Sequence, residues 1–321
     1  MPLTPSFGDK LIGPIQRLYG EAELKVFRWL AGMVFGDRVA GGLVWLTRML
    51  LKLPRLRAGL VKITRDLDAE SQKRVEVALR AAWRTGRSAA HADSPSALAP
   101  DETALERLID DVNHVISEVT RNIPSVGENI YRKTIQEAVR EQDDLNRKKA
   151  MQRALNKFAR LGITGFVDGR GRRYDLVTYV ETAVRTAVTH AEVEAYTQQL
   201  AAAGHDLIIV SDVIGSCPLC LPFEGKVLSI SGATVGAISR DTRTGRVVKV
   251  DVYSSLAAAR EAGLFHRNCR HEIKLWTPDD PVPPRSAGRS EVEKSAARRR
   301  AILRRQERMK NRVAAASSAV N

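Results

Sequence analysis

Every cysteine in the chain falls into one of two short clusters, and that arrangement limits the fold more than any other feature. Cys217-Pro218-Leu219-Cys220 sets two thiols on one tight turn, and His266-Arg267-Asn268-Cys269-Arg270-His271 places the third thiol between two imidazoles. About 45 residues separate the clusters. Zinc takes four nitrogen or sulfur ligands in a tetrahedron, and two short ligand groups joined by a loop are a common way to build that shell. The separation exceeds zinc-finger spacing, so an ion held here pins two distant pieces of one domain together. The ligand set is Cys217, Cys220, Cys269 and one histidine, with His271 favoured and His266 left open. A thioredoxin-like redox pair at Cys217 and Cys220, or three inert buried thiols, are the alternatives.

The same spacing argues for a structural ion. Zinc deaminases use His-x-Glu followed by Pro-Cys-x-x-Cys; here the order is reversed, the dipeptide is Cys217-Pro218, and His271-Glu272 lacks the spacer. There is no His-Glu-x-x-His and no Gly-x-x-x-x-Gly-Lys-Ser/Thr phosphate loop. Four protein ligands leave no open position for water, and no clustered acidic site of the nuclease kind is visible. The expectation is a protein that is not an enzyme. A nuclease or transferase using Arg185 and His266 is one alternative, and a zinc-dependent nucleic-acid-binding protein is another.

The remaining sequence predicts an α+β, mostly helical protein. Ala, Leu, Val and Arg dominate while aromatics make up only 5%, a balance that favours helices. Apolar residues recur at helical spacing over Gln16–Val34, and Gly41-Gly42 breaks the pattern. Further helices are predicted over Leu43–Leu53, stopped by Pro54, then Leu56–Thr64, then about Ala69 to Gly86. An exposed connection follows at His91–Pro100. Helices then cover Asp101 to just before Pro124, Ser125–Leu145 and Arg147–Leu161. Beyond Gly162 the character changes. A hairpin turns at Asp168-Gly169-Arg170-Gly171, and a long helix runs from Leu176 to about Ala203. Strands follow at Leu207–Val210, Val227–Ile230 and Val247–Tyr253, with a short helix over Ser254–Ala262. Pro278 to Pro284 reads as a linker, and Ser290 to Ala316 as a charged helix. The expected domains are an N-terminal helical region (1–90), a second helical region (101–161), a zinc-stapled α+β domain (162–277), and a linker with a basic helical tail (278–321).

Charge is uneven. Of the net +14, the segment from Arg285 onward carries a net of eight. Arg298, Arg299, Arg300, Arg304, Arg305, Arg308, Lys310 and Arg312 circle most of a helix, a pattern able to neutralise several phosphates without reading sequence. A solvated tail and an acidic protein partner are the competing readings. The most membrane-like stretch, Leu24–Leu53, contains Lys25, Arg28, Asp37, Arg38, Arg48 and Lys52, so no transmembrane span is expected. The start, Met1-Pro2-Leu3-Thr4-Pro5, has no basic n-region or apolar h-region, and three cysteines leave one over in any disulfide framework. A reducing, cytosolic setting is expected.

Three stretches together resemble the phage minor capsid protein family, related to Mu-F-like head morphogenesis proteins. They are Tyr179-Val180-Glu181-Thr182-Ala183-Val184-Arg185-Thr186, then Cys217-Pro218-Leu219-Cys220 with Gly225-Lys226-Val227, and Gly263-Leu264-Phe265-His266-Arg267-Asn268-Cys269-Arg270-His271. Tyr19-Gly20-Glu21-Ala22-Glu23-Leu24 adds to the likeness. Arg267 stands where the family pattern has proline. The family often has cysteine at the position of His271, an exchange that a metal ligand permits. The resemblance implies a few-copy structural protein of the virion interior, associated with the portal vertex and other head proteins. It also implies host cytoplasm before assembly, and contact of the basic tail with packaged double-stranded DNA or an acidic portal surface. Tyr179, Arg185 and Thr186 form its helix motif. Arg185 either pairs with Glu181 one turn back or meets a partner.

Overall fold

The longest element begins where a break was expected. In the computed structural model, which describes residues 5–36, 43–95, 101–139, 141, 144–167, 173–213, 216–267, 269–280 and 291–317, helix α3 runs from Leu53 to Asp93. The helix expected from Leu43 does end before Pro54, at Leu51, but Pro54 itself lies in the first turn of α3, where its missing N–H has no helical partner to lose. Leu56, Leu60, Thr64, Leu67, Ser71, Val75, Leu79 and Ala82 are all buried at intervals of three or four, so one stripe continues through the expected gap. Two stripe positions are polar. Both are satisfied within the helix: the Thr64 hydroxyl donates to the Leu60 carbonyl at 2.8 Å and the Ser71 hydroxyl to the Asp68 carbonyl at 2.9 Å.

Gly86 does not end α3. A Cβ at that position would overlap the backbone carbonyl of Glu192, so the glycine serves a close helix–backbone approach. The helix continues to Asp93, and His91 belongs to it rather than to the connection; residues 96–100 of that connection lie outside the described residues.

The other helices are α1 (Pro5–Phe35), α2 (Leu43–Leu51), α4 (Thr103–Thr120), α5 (Ile123–Ala138), α6 (Asp144–Leu161), α7 (Leu176–Ala202), α8 (Leu256–Glu261) and α9 (Glu291–Ser317). Helix α1 starts eleven residues before the predicted Gln16 and carries Pro14 inside it. Helix α5 ends at Ala138, short of the predicted Leu145. The predicted Gly41-Gly42 break and the Asp168–Gly171 turn fall outside the described residues. So does the linker beyond Asp280.

Strands β1 (Thr164–Val167) and β2 (Arg173–Asp175) pair antiparallel. A five-stranded sheet has the order β5-β6-β4-β3-β7, from β3 (Leu207–Val210), β4 (Val227–Ser229), β5 (Gly236–Asp241), β6 (Val247–Ser255) and β7 (Ile273–Leu275). Only the β4–β6 pair is parallel. The two edge strands, β5 and β7, were not anticipated. β5 is mostly exposed and β7 has three residues, so neither offers a long alternation of apolar and polar positions.

The chain divides into two compact units, each drawn from several segments. One comprises Met1–Gly13, Val75–Val112 and Thr182–Ala297; the other comprises Pro14–Arg74, Asn113–Glu181 and Arg298–Asn321. Helices α1, α3, α4, α7 and α9 have residues in both, and the 162–277 stretch is divided at Thr182. In the first unit the core gathers Val193, Tyr196 and Leu200 of α7, Ile208 and Val210 of β3, and Ile273 and Leu275 of β7, together with Cys220 and Cys269. In the second, Tyr19, Phe27, Leu30, Leu56, Leu60 and Tyr131 are fully buried. The Tyr19 hydroxyl lies 2.9 Å from the Thr120 hydroxyl.

Candidate metal centre

Sheet pairing brings the two cysteine clusters together. Strand β3 ends at Val210, which sits opposite Ile273, the first residue of β7. The ladder extends one step further, with the Ser211 N–H donating to the Glu272 carbonyl at 2.8 Å and the Glu272 N–H to the Ser211 hydroxyl at 2.8 Å. Residues after β3 therefore meet residues before β7. On the first side, the N–H groups of Cys220 and Leu221 donate to the Cys217 carbonyl and close a tight turn. On the second, the Cys269 N–H donates to the His266 carbonyl at 2.9 Å. Just before it, Phe265 takes a left-handed φ of 61°, a conformation that costs a bulky residue of order 1–3 kcal/mol. Burial of its ring and a 3.0 Å contact of its carbonyl with His190 Nε2 hold it there.

The five predicted ligands form two overlapping trios that share Cys220: Cys217, Cys220 and His266, and Cys220, Cys269 and His271. Cys220 Sγ lies 3.6 Å from Cys269 Sγ, and Cys269 Sγ lies 3.3 Å from His271 Nδ1. Tetrahedral zinc with sulfur at about 2.3 Å and nitrogen at about 2.0 Å sets neighbouring sulfurs ~3.8 Å apart and sulfur and nitrogen ~3.5 Å apart. The second trio comes close to these edges. His266 Nε2 is 2.8 Å from Cys217 Sγ, shorter than a ligand edge and the length of a hydrogen bond. The donor set and its spacing fit zinc.

Each histidine has its second nitrogen engaged. His271 Nε2 lies 2.8 Å from Glu224 Oε1, and both side chains are buried. His266 Nδ1 lies 2.7 Å from the Arg267 carbonyl. Metal-binding histidines commonly donate their other N–H to a carboxylate or carbonyl, which fixes the ring. With Nε2–H given to Glu224, Nδ1 of His271 is the nitrogen turned toward Cys269 and the one that would bind an ion. Glu224 also accepts the Val213 N–H at 3.0 Å. Sequence reasoning missed Glu224: a glutamate four residues after Cys220 carries no signal until the fold buries it against His271.

The thiols are polarised against each other. The contact with Cys220, aided by His271, lowers the Cys269 pKa despite burial. The same contact, with burial, raises that of Cys220. Burial opposes a charge on His271, but Cys269 and Glu224 more than offset it and raise its pKa. These contacts favour the thiolate of Cys269, the form in which a thiol binds a metal.

The helix motif lies on α7, where Tyr179 belongs to one unit and Arg185 and Thr186 to the other. All three are half-buried. The Thr186 hydroxyl donates to the Thr182 carbonyl at 2.9 Å. Helix α7 touches the cluster through His190, which reaches the carbonyl next to His266.

The basic residues of α9 separate into two groups. Arg298, Arg299, Arg300, Arg304, Arg305 and Lys310 are exposed. Arg312 is only 4% exposed and is held by Glu23 at 3.1 Å and by the Ala159 carbonyl at 2.7 Å. A side chain so enclosed is not available to phosphate, which corrects its place in the predicted basic surface. Arg308 is half-buried and donates to the Thr178 hydroxyl at 3.1 Å. Among the described residues, no helix is long and apolar enough to cross a membrane.

The family model described as phage minor capsid protein 2 matches residues 3–321. No curated protein and no solved structure matches the chain.

Proposed function

The chain belongs to the phage minor capsid protein 2 family, and from that premise we propose that it is a structural component of the virion interior. It assembles in few copies with the portal and other head proteins, and is made in the host cytoplasm. The observation that carries this reading is the family match across essentially the whole chain. Both the cysteine clusters and the basic helix fall inside it. The role is architectural rather than catalytic.

Zinc belongs to this reading as a staple. The thiolates of Cys217, Cys220 and Cys269 and the imidazole of His271 would hold it, with Glu224 orienting the ring. The ion would supply a cross-link between the turn after β3 and the turn before β7, in place of a disulfide that a reducing compartment would not keep. His266 then hydrogen-bonds at the rim of the site. The exposed arginines of α9 meet packaged DNA or an acidic surface of a head protein.

Mass spectrometry of purified particles, mature and immature, tests the assignment. The chain is expected at low copy number beside the portal, and absence from both kinds of head overturns it. Metal content of the purified protein tests the staple. About one zinc per chain is expected, lost in Cys217→Ser and His271→Ala and kept in His266→Ala.

A further inference from the structure

Helix α9 changes its relation to its surroundings partway along. From Arg308 onward it is tied into its unit: Arg308 reaches Thr178, Arg312 reaches Glu23 and the carbonyls of Ala159 and Arg160, and Ala315 and Ala316 are buried. From Arg298 to Glu307 every residue is exposed. This includes Ile302 and Leu303, each 56% exposed.

Their placement is not scattered. At 3.6 residues per turn, Arg299, Ile302, Leu303, Gln306 and Lys310 stand at i, i+3, i+4, i+7 and i+11 and share one face. Leu303 and Arg312 are nine residues apart, which places them about half a turn around the helix from each other. Leu303 is thus turned away from the side that anchors the helix, and Ile302 lies at the edge between the two sides. Arg298 and Arg305 lie on one side of the face and Arg300 on the other, while Arg304 falls toward the anchored side; Glu307 is the single acidic residue between Arg298 and Arg312. Phosphate contacts require only cations, and DNA gains nothing from an isoleucine and a leucine on the face. A second copy of the same face would bring like charges together. An acidic surface with an apolar groove satisfies both halves of the pattern.

We propose that residues 298–307 form a docking helix that lays Ile302 and Leu303 into an apolar groove of an acidic protein, with the surrounding arginines meeting the carboxylates at the groove's rim. The inference rests on the virion-protein reading, in which that protein is another component of the head.

The test uses the full-length protein and three probes: an acidic amphipathic peptide with leucines at helical spacing, polyglutamate of equal charge, and a short random-sequence DNA duplex. The amphipathic peptide is expected to bind at least roughly tenfold more tightly than polyglutamate, the scale set by burying two apolar side chains. The Ile302→Ser/Leu303→Ser double variant is expected to lose that preference while its affinity for duplex stays unchanged. Both positions are exposed, and circular dichroism checks that the variant keeps its helix content. Equal binding of peptide and polyglutamate overturns the proposal, as does a preference that survives the double substitution. Tightest binding to duplex reassigns the face to DNA, and self-association abolished by the double variant reassigns it to a second copy; both also overturn it. Presence of the chain in purified particles reports separately on the virion reading, so failure of one is distinguishable from failure of the other.

Discussion

Arg312 looks in sequence like the last member of a basic run, yet it is buried within the second unit. Its guanidinium meets Glu23, the Ala159 carbonyl and the Arg160 carbonyl, while Glu23 also accepts the Ile163 N–H at 2.7 Å. Gly162, at a φ of 77°, has no side chain to crowd either charge. Arg312→Met leaves the Glu23 carboxyl buried without its partner, and an equilibrium unfolding titration should show a loss of about 3–5 kcal/mol. Glu192 behaves differently. Burial, with the nearby Glu272 carboxylate, raises its pKa from 4.5 to about 8, so the fold favours the neutral acid. Its contribution is fully present below pH 4.5, where the unfolded chain is also protonated, and is lost as pH rises through about 8. Glu192→Gln should flatten the stability profile across that window and leave the variant more stable at pH 8, by on the order of 3 kcal/mol. Urea midpoints measured from pH 5 to 8 check this, and parallel profiles for the two proteins would contradict it.

Helix α3 shows how an element is decided by more than its pattern. The sequence divided it between Thr64 and Ala69 and closed it near Gly86; Thr64 and Ser71 are polar positions on its apolar stripe, and Pro54 stands at its start. Each has a local resolution in the structure: self-contained hydroxyl bonds, a first-turn proline, and a glycine placed where a backbone passes. Gly86→Ala should therefore destabilise, although alanine is the better helix former by about 1 kcal/mol. Overlap with the Glu192 carbonyl is expected to cost about 1–3 kcal/mol net, read as a lowered thermal midpoint. An increase in midpoint would mean that the two backbones are not in close contact. The strands divide the same way. β3, a fully buried Leu-Ile-Ile-Val run, was legible from composition. β5 and β7 exist because neighbouring strands offer them hydrogen bonds, and no local pattern announces that.

For the molecule as a whole, the cysteine–histidine cluster is where long-range organisation has its clearest consequence. If zinc links the turn after β3 to the turn before β7, a strong chelator should lower the thermal midpoint by roughly 5 °C or more, and zinc, not magnesium, should restore it. An unchanged midpoint in metal-free protein would make the cluster a buried thiol core. The sequence by itself determined the mostly helical α+β class and the two cysteine and histidine clusters that carry the candidate ligands. Residue type, spacing and periodicity are local properties, readable without a fold. Only the tertiary structure decided the rest: that β3 and β7 pair and bring the clusters together, that Glu224 backs His271, and that Arg312 is enclosed while Ile302 and Leu303 are not. The physical reason is that burial and contact between residues far apart in the chain depend on which surfaces the fold pairs, and a charge run or a lone glutamate looks the same in sequence whether it ends inside or outside.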